Sequence, residues 1–228
     1  MDVMNYQQAE REAERMQANR EELVERIARA MRQDGTAQPL QGLHLYRYSL
    51  PLELGHGMAE PSVCVIAQGS KEVLLGESRY RYDPSQYLLA TAELPTIRRI
   101  LQASQERPFL SLRLELAPIL VDEVMVEAGH ASPRDHVDVR AIAVSPVDGH
   151  LLESFVRLTR LLDSPTEARV LLPLITREII YRLLLGEQGG RLRHLALQGA
   201  TPPASPERSG ISVKTSTSHC ASRILHKS

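Results

Sequence analysis

The chain has 228 residues, 43% of them hydrophobic, which suits one or two domains with a real core. Lys and Arg number 27 against 28 Asp and Glu, so the net charge of -1 lacks the basic excess of a free-standing nucleic-acid binder, and 4% aromatic residues with no Trp disfavour a base-stacking platform. The two cysteines sit in unlike settings, Cys64 in an apolar run and Cys220 in a polar tail, and no apolar signal segment or membrane-length run occurs; the sequence reads as a reduced, cytoplasmic protein without a membrane span.

Residues 5–33 predict an amphipathic helix. Ala9, Ala13, Met16, Leu23, Ile27 and Ala30 step by three and four, interrupted at Arg20, and neither Gly nor Pro intervenes before Gly35. This N-terminal unit, 1–36, is expected to pack on the domain or on a partner chain. From about 40 to 117, within a barrel unit taken as 37–120, the period is two. Leu45-Tyr46-Arg47-Tyr48 and Arg79-Tyr80-Arg81-Tyr82 alternate, and in Phe109 to Leu116 the residues Leu110, Leu112, Leu114 and Leu116 alternate with Ser111, Arg113 and Glu115. Each predicts a half-buried strand. Val63 to Ala67 is continuously apolar and predicts a strand covered on both sides, followed after Gln68-Gly69-Ser70 by a strand from Lys71 to Leu75. Gly76-Glu77-Ser78 and Asp83-Pro84-Ser85 mark turns, and short strands so spaced predict an antiparallel sandwich or small barrel.

Residues 129–140 read as a polar loop. Beyond it Ser145-Pro146 is expected to open a helix with Leu151, Phe155, Leu158 and Leu162 on one stripe. Ser164-Pro165-Thr166-Glu167 opens a second, with Leu171, Ile175, Ile179 and Leu183 on its stripe, a kink expected at Pro173 and an end at Gly186. Residues 190–198 read as a short third helix or an extension. The stripes either cover an open end of the barrel or pair with another chain, and 121–199 is taken as a loop and helical dimerisation element through Leu151, Phe155, Leu158, Leu162, Ile175, Ile179 and Leu183. The Ser-, Thr- and Pro-rich tail, 200–228, has no period and predicts disorder. The fold class is α+β: one helix, an antiparallel barrel, then a helical hairpin.

A small antiparallel barrel raises the question of a metal-dependent cupin enzyme, whose ion needs His and carboxylate ligands converging from adjacent strands. No His-x-His occurs in the strand region, and His44 and His56 stand singly. Asp135-His136-x-Asp138 is the densest ligand-like cluster, yet it lies in the polar loop, where a solvated turn is the plainer reading. Gly69-Ser70-Lys71 has the wrong order for a phosphate loop, and a strand follows it. Cys64 has no basic neighbour in sequence and reads as an inert buried thiol. No Ser, His and acid set shows a local signature. The expectation is no catalytic residue, no metal and no cofactor. Such a barrel can still enclose a small molecule. Alternation nominates Val65, Ala67, Val73, Tyr80, Tyr82 and Arg98 as its lining, with plain core as the equal alternative, since alternation does not say which face is inward.

Glu60-Pro61-Ser62-Val63-Cys64-Val65-Ile66-Ala67-Gln68-Gly69-Ser70-Lys71-Glu72-Val73 is similar to the N-terminal domain of a subgroup of AraC-type bacterial transcription regulators, as are Tyr80-Arg81-Tyr82-Asp83-Pro84, Tyr87-Leu88-Leu89 and Glu93-Leu94-Pro95. So are the run from Leu172 to Leu184 and Gln188-Gly189-Gly190-Arg191-Leu192, so that the resemblance spans roughly residues 15–199. It implies a cupin-like sensor domain, a helical dimerisation element and two helix-turn-helix motifs, with a small-molecule effector in the barrel biasing how paired DNA-binding domains meet their half-sites. The partners implied are a second copy of the chain, the effector, and DNA in a full-length parent only. A cupin-type enzyme and a dimerisation module without ligand are the alternatives. After Gly199 the sequence departs from the family's pattern, and the helix-turn-helix region is expected to be missing, through a shifted reading frame or a natural end. The chain as it stands is therefore expected to show no sequence-specific DNA binding in a gel shift at physiological salt; a tight, specific shift would contradict this.

Overall fold

A computed structural model of the protein describes residues 3–129 and 140–200. The expected cluster of Asp135, His136 and Asp138 and the tail expected to be disordered lie outside the described residues.

Helix α1 (Val3–Ala30) forms where neither Gly nor Pro interrupts the chain. Pairs one turn apart, Gln17 with Glu21 and Glu22 with Arg26, brace its solvent side. Leu23, Ile27 and the following Met31 are buried in this chain's own core. Nine antiparallel strands follow: β1 (Gly35–Leu40), β2 (Leu43–Tyr48), β3 (Leu52–Ala59), β4 (Ser62–Gln68), β5 (Ser70–Leu75), β6 (Ser78–Tyr82), β7 (Gln86–Ala90), β8 (Leu94–Gln102) and β9 (Phe109–Glu115). Then come α2 (Pro118–Glu127), a further strand β10 (Ile142–Pro146), α3 (Gly149–Arg160), α4 (Pro165–Leu185) and α5 (Gly189–Ala200). The strands form a six-stranded sheet, β1-β2-β9-β4-β7-β10, and a four-stranded sheet, β3-β8-β5-β6.

Apart from its exposed edge strand β1, the larger sheet is covered on both faces. Leu43, Leu45, Val63, Val65, Leu89, Leu110, Leu112 and Leu114 meet the helices on one side. Ile66, Leu88, Ala90 and Phe109 meet the smaller sheet on the other, together with Val73, Tyr82 and Ile100 from that sheet. Phe109 to Glu115 is thus not the half-buried strand its alternation predicts; Ser111, between the leucines, is also buried. The smaller sheet has one solvated face. There Glu53, Arg99, Glu72 and Arg81 stand in one row across four strands, with Arg99 on Glu53 at 2.9 Å and Arg81 on Glu72 at 2.7 Å.

One helix expectation needs correction. Ser145-Pro146 does not cap a helix. Residues 142–146 instead pair with β7, and Pro146 is tolerated because β10 is an edge strand. The cap is Asp148, whose side chain accepts the Leu151 N–H at 2.8 Å. Ser145 is used elsewhere: its hydroxyl donates to Glu187 at 3.0 Å and accepts from Gln188 at the α4–α5 junction. Helix α4 includes Pro173 and ends, as expected, at Gly186.

The expected dimer contacts lie within the monomer. Leu151, Phe155, Leu158, Ile175, Ile179 and Leu183 are buried and Leu162 is half-buried, packed among the helices and the larger sheet. An apolar sheet face must be covered, and these stripes cover it. Arg160 ties α3 to Glu22 of α1 with two bonds of 2.8 and 2.7 Å, and Arg26 reaches Asp163 at 2.7 Å. No helix among the described residues is long and apolar enough to cross a membrane.

Phe155 lies wholly inside this core. Phe155→Ala is expected to destabilise the fold by about 3–5 kcal/mol in urea denaturation. The loss should not depend on protein concentration; a loss that vanishes on dilution would place Phe155 in an interface instead.

Candidate functional site

The two sheets do not close completely on each other. Between them lies a cavity with about 40 Å³ of room for the centres of water-sized molecules, enough for a few waters or a compact ligand. Strand register decides which side chains face it. On the larger sheet Cys64 stands opposite Arg113 and Leu88, and Tyr46 opposite Ser111. On the smaller sheet Lys71 stands opposite Tyr82 and Ile100, and Val73 opposite Arg98. Tyr46, Cys64, Ser111, Arg113, Lys71 and Tyr82 form its polar walls, with Thr96 and Arg98 at the β8 side. Val73, Leu88, Ala90 and Ile142 supply apolar wall.

Its electrostatics are asymmetric. Arg113 donates to Glu60 at 2.7 Å and to Glu115 at 3.2 Å, and Glu115 also holds His44 at 2.6 Å. The Arg113 guanidinium keeps the Glu60 carboxyl below its ordinary range. Lys71 and Arg98 have no such partner: among the described residues, neither meets a carboxylate within ion-pair distance. Lys71 is 7% exposed, and burial, reinforced by the charges of Arg98 and Arg113, pulls its pKa down to about 8. Its ammonium lies 5.6 Å from the centre of the Tyr46 ring, a cation–π contact that partly offsets the lost water. Arg98 Nε and Arg113 Nε are buried without a hydrogen-bond partner. The Arg98 guanidinium lies against Gly57, where a Cβ would collide with it. Burial pushes the Tyr46 and Tyr82 phenols up, so both stay neutral donors.

Of the residues nominated from sequence, Val73, Tyr82 and Arg98 line the cavity. Tyr80 packs in the same inter-sheet core without forming the wall. Val65 and Ala67 do not line it; they are on the opposite face of β4, against the helical layer. Lys71, Cys64, Tyr46, Ser111, Thr96 and Arg113 were missed. Lys71 could have been found, because it shares a strand face with Val73, two residues away. Arg113 and Ser111 could not, since polar residues alternating with leucines read as a solvent face. Gly69-Ser70-Lys71 leads into β5 and holds no phosphate-loop geometry; His56 is exposed on β3. Among the described residues, no three His, Cys, Asp or Glu side chains converge as a metal-ligand group.

Residues 39–191 match the family described as AraC-type transcriptional regulator N-terminus. Among solved structures the chain is similar to ToxT from Vibrio cholerae strain SCE256, in its form with unsaturated fatty acid bound, at 9% identity and TM-score 0.44, over 71% of this chain and 58% of that one. It is also similar to the AraC-like transcriptional activator CuxR, at 12% identity and TM-score 0.34 over 76% and 57%, and to YhaK from Escherichia coli, at 13% and 0.31 over 46% and 41%. The chain thus spans less than two thirds of the length of these structures. No curated protein sequence matches it.

A buried ammonium without a counter-ion opposes folding. Lys71→Met is expected to stabilise the protein at pH 7 by on the order of 3 kcal/mol. Below about pH 8 Lys71 is charged in both states and its burial penalty is fully present. Between about 8 and its ordinary value of 10.5 the unfolded chain holds the proton more tightly, so wild-type stability rises with pH and the variant's advantage shrinks. Urea denaturation of both proteins across this range checks it; a gap that stays constant with pH would refute it.

Proposed function

The chain belongs to the AraC-type transcriptional regulator N-terminus family, and from that premise we propose that it is the effector-sensing and dimerisation portion of such a regulator, with the cavity between the sheets as the effector site. The observation that carries this reading is the pair of cations, buried Lys71 and half-buried Arg98, facing a small cavity and lacking a carboxylate partner among the described residues. Groups held at a cost to stability mark functional sites more often than structural ones. The family is one of regulators, which favours a binding role over turnover. DNA is a proposed partner of a full-length protein, through a part of it other than this cavity.

For dimerisation the stripes inside the core are unsuited, and the outer face of the helical layer is the better candidate. Ile119 and Val126 on α2 and Val170, Leu174 and Tyr181 on α4 are large apolar side chains exposed to solvent. On α4 they recur at helical spacing, along one face. Arg177, within the same stripe, fastens the two helices, donating to Glu123 at 2.9 Å and pairing with Glu127 at 2.7 Å. A second copy of the chain would cover the patch.

Two measurements test the parts separately. The Val170→Glu, Leu174→Glu double variant is expected to convert a dimer to a monomer in sedimentation equilibrium without lowering its denaturation midpoint at high dilution. A wild-type chain that stays monomeric at high concentration overturns the dimer reading. For sensing, a compound that binds only the folded chain raises Tm. If no small molecule of any charge does so, the chain is a dimerisation module without ligand.

A further inference from the structure

We infer that the ligand of this cavity is a compact oxyanion, a short-chain carboxylate or a small phosphate, whose negative group sits between Lys71 and Arg98. The inference deepens the effector reading and rests on it.

The sign of the ligand's charge follows from the balance of groups. Three cations, Lys71, Arg98 and Arg113, border the space. Glu60, itself in the wall, and Glu115 just outside it are both engaged by Arg113. Lys71 and Arg98 are left with donors and, among the described residues, no charged acceptor. The Arg98 Nε–H is buried and unpaired, and Lys71 is more than nine-tenths buried on the same sheet face. A neutral polyol would give these donors acceptors but leave two positive charges uncompensated in a low-dielectric space. An ammonium ligand would add a further like charge. A carboxylate or phosphate offers acceptors only, together with the missing charge, and the planar guanidinium fork with an adjacent ammonium matches either.

Geometry points the same way. Gly57 leaves room for the Arg98 guanidinium against β3, where any larger residue would displace it. The neutral phenols of Tyr46 and Tyr82 stand around the pair as further donors, while the Thr96 hydroxyl is spent on the Gly57 carbonyl at 3.2 Å. The ligand's body meets Val73, Leu88 and Ile142, which suit a few carbon atoms. The room between the sheets, about 40 Å³ for the centres of water-sized molecules, is too small for a long acyl chain.

The test uses the full chain, calorimetry and thermal shift at physiological salt. Its probes are acetate, propionate, pyruvate, octanoate and inorganic phosphate, with acetamide, propionamide and ethylamine as neutral and cationic counterparts. At least one short oxyanion is expected to bind and raise Tm while its neutral counterpart does not, and octanoate is expected to bind more weakly than propionate. The preference between carboxylates and phosphate names the head group. Lys71→Met and Arg98→Gln are each expected to weaken that binding about tenfold or more. Gly57→Ala should weaken it by shifting Arg98, and the solvent-facing Arg79→Gln should leave it unchanged. Because Lys71→Met is expected to be more stable than the wild type, lost binding in that variant cannot be ascribed to unfolding. Anion binding that survives both Lys71→Met and Arg98→Gln overturns the inference. So does an amide or amine that binds as well as the acid and is lost in Lys71→Met; the cavity would then remain an effector site for a ligand of another charge. If no probe of any charge binds, the effector reading falls and this inference with it.

Discussion

Apart from its edge strand β1, the six-stranded sheet has no solvent face, and the rest of the architecture depends on that. Along β4 and β9 each successive side chain is assigned to one of two interiors. Val63, Val65, Leu110, Leu112 and Leu114 go to the helical layer, while Cys64, Ile66, Ser111 and Arg113 go to the space between the sheets. A strand's period of two thereby separates two kinds of chemistry. One side is a continuous hydrophobic core that includes Phe155, Ile179 and Leu183. The other is a mixed interior in which charge is permitted.

This division explains how the fold tolerates Lys71. An ammonium buried without a carboxylate opposes folding, and two guanidinium Nε–H groups nearby lack partners. The helical side carries the compensating burial, from Leu23 and Ile27 on α1 to Leu192 and Leu195 on α5. The ion pairs that fasten α1 to the helical hairpin, Arg160 with Glu22 and Arg26 with Asp163, lie at the surface and contribute orientation more than stability. Stability and recognition therefore draw on opposite faces of the same strands.

Much of this was legible in the residues. The first helix, the strands at Val63–Ala67, Lys71–Leu75 and Arg79–Tyr82, and the two later helices follow from periodicity and turn chemistry. Helix α1 was read with nearly its observed limits because nothing breaks it before Gly35. What escaped was tertiary. A strand such as β9 looks half-solvated when its second covered face is polar, so Ser111 and Arg113 gave no sign of lining a cavity. The stripes Leu151–Phe155–Leu158 and Ile175–Ile179–Leu183 announce something to be covered, but a helix carries no mark that tells its own sheet from another chain. Alternation likewise fixed that Val73 and Lys71 share a face, while only register across β5 and β8 brings Arg98 beside them. Ser145-Pro146 misled because the same dipeptide suits a helix start and an edge-strand end.

Strand β10 reaches both interiors. Ile142, near its start, is part of the cavity wall, and Ser145, near its end, is bonded to Glu187 and Gln188 where α4 turns into α5. Asp148, capping α3, follows after two further residues. Between wall and caps the chain is extended and paired to β7 throughout, with no turn to absorb a displacement. A shift of the wall at Ile142 is thereby geared to the footing of three helices at once, as a short pushrod couples a piston to its crank.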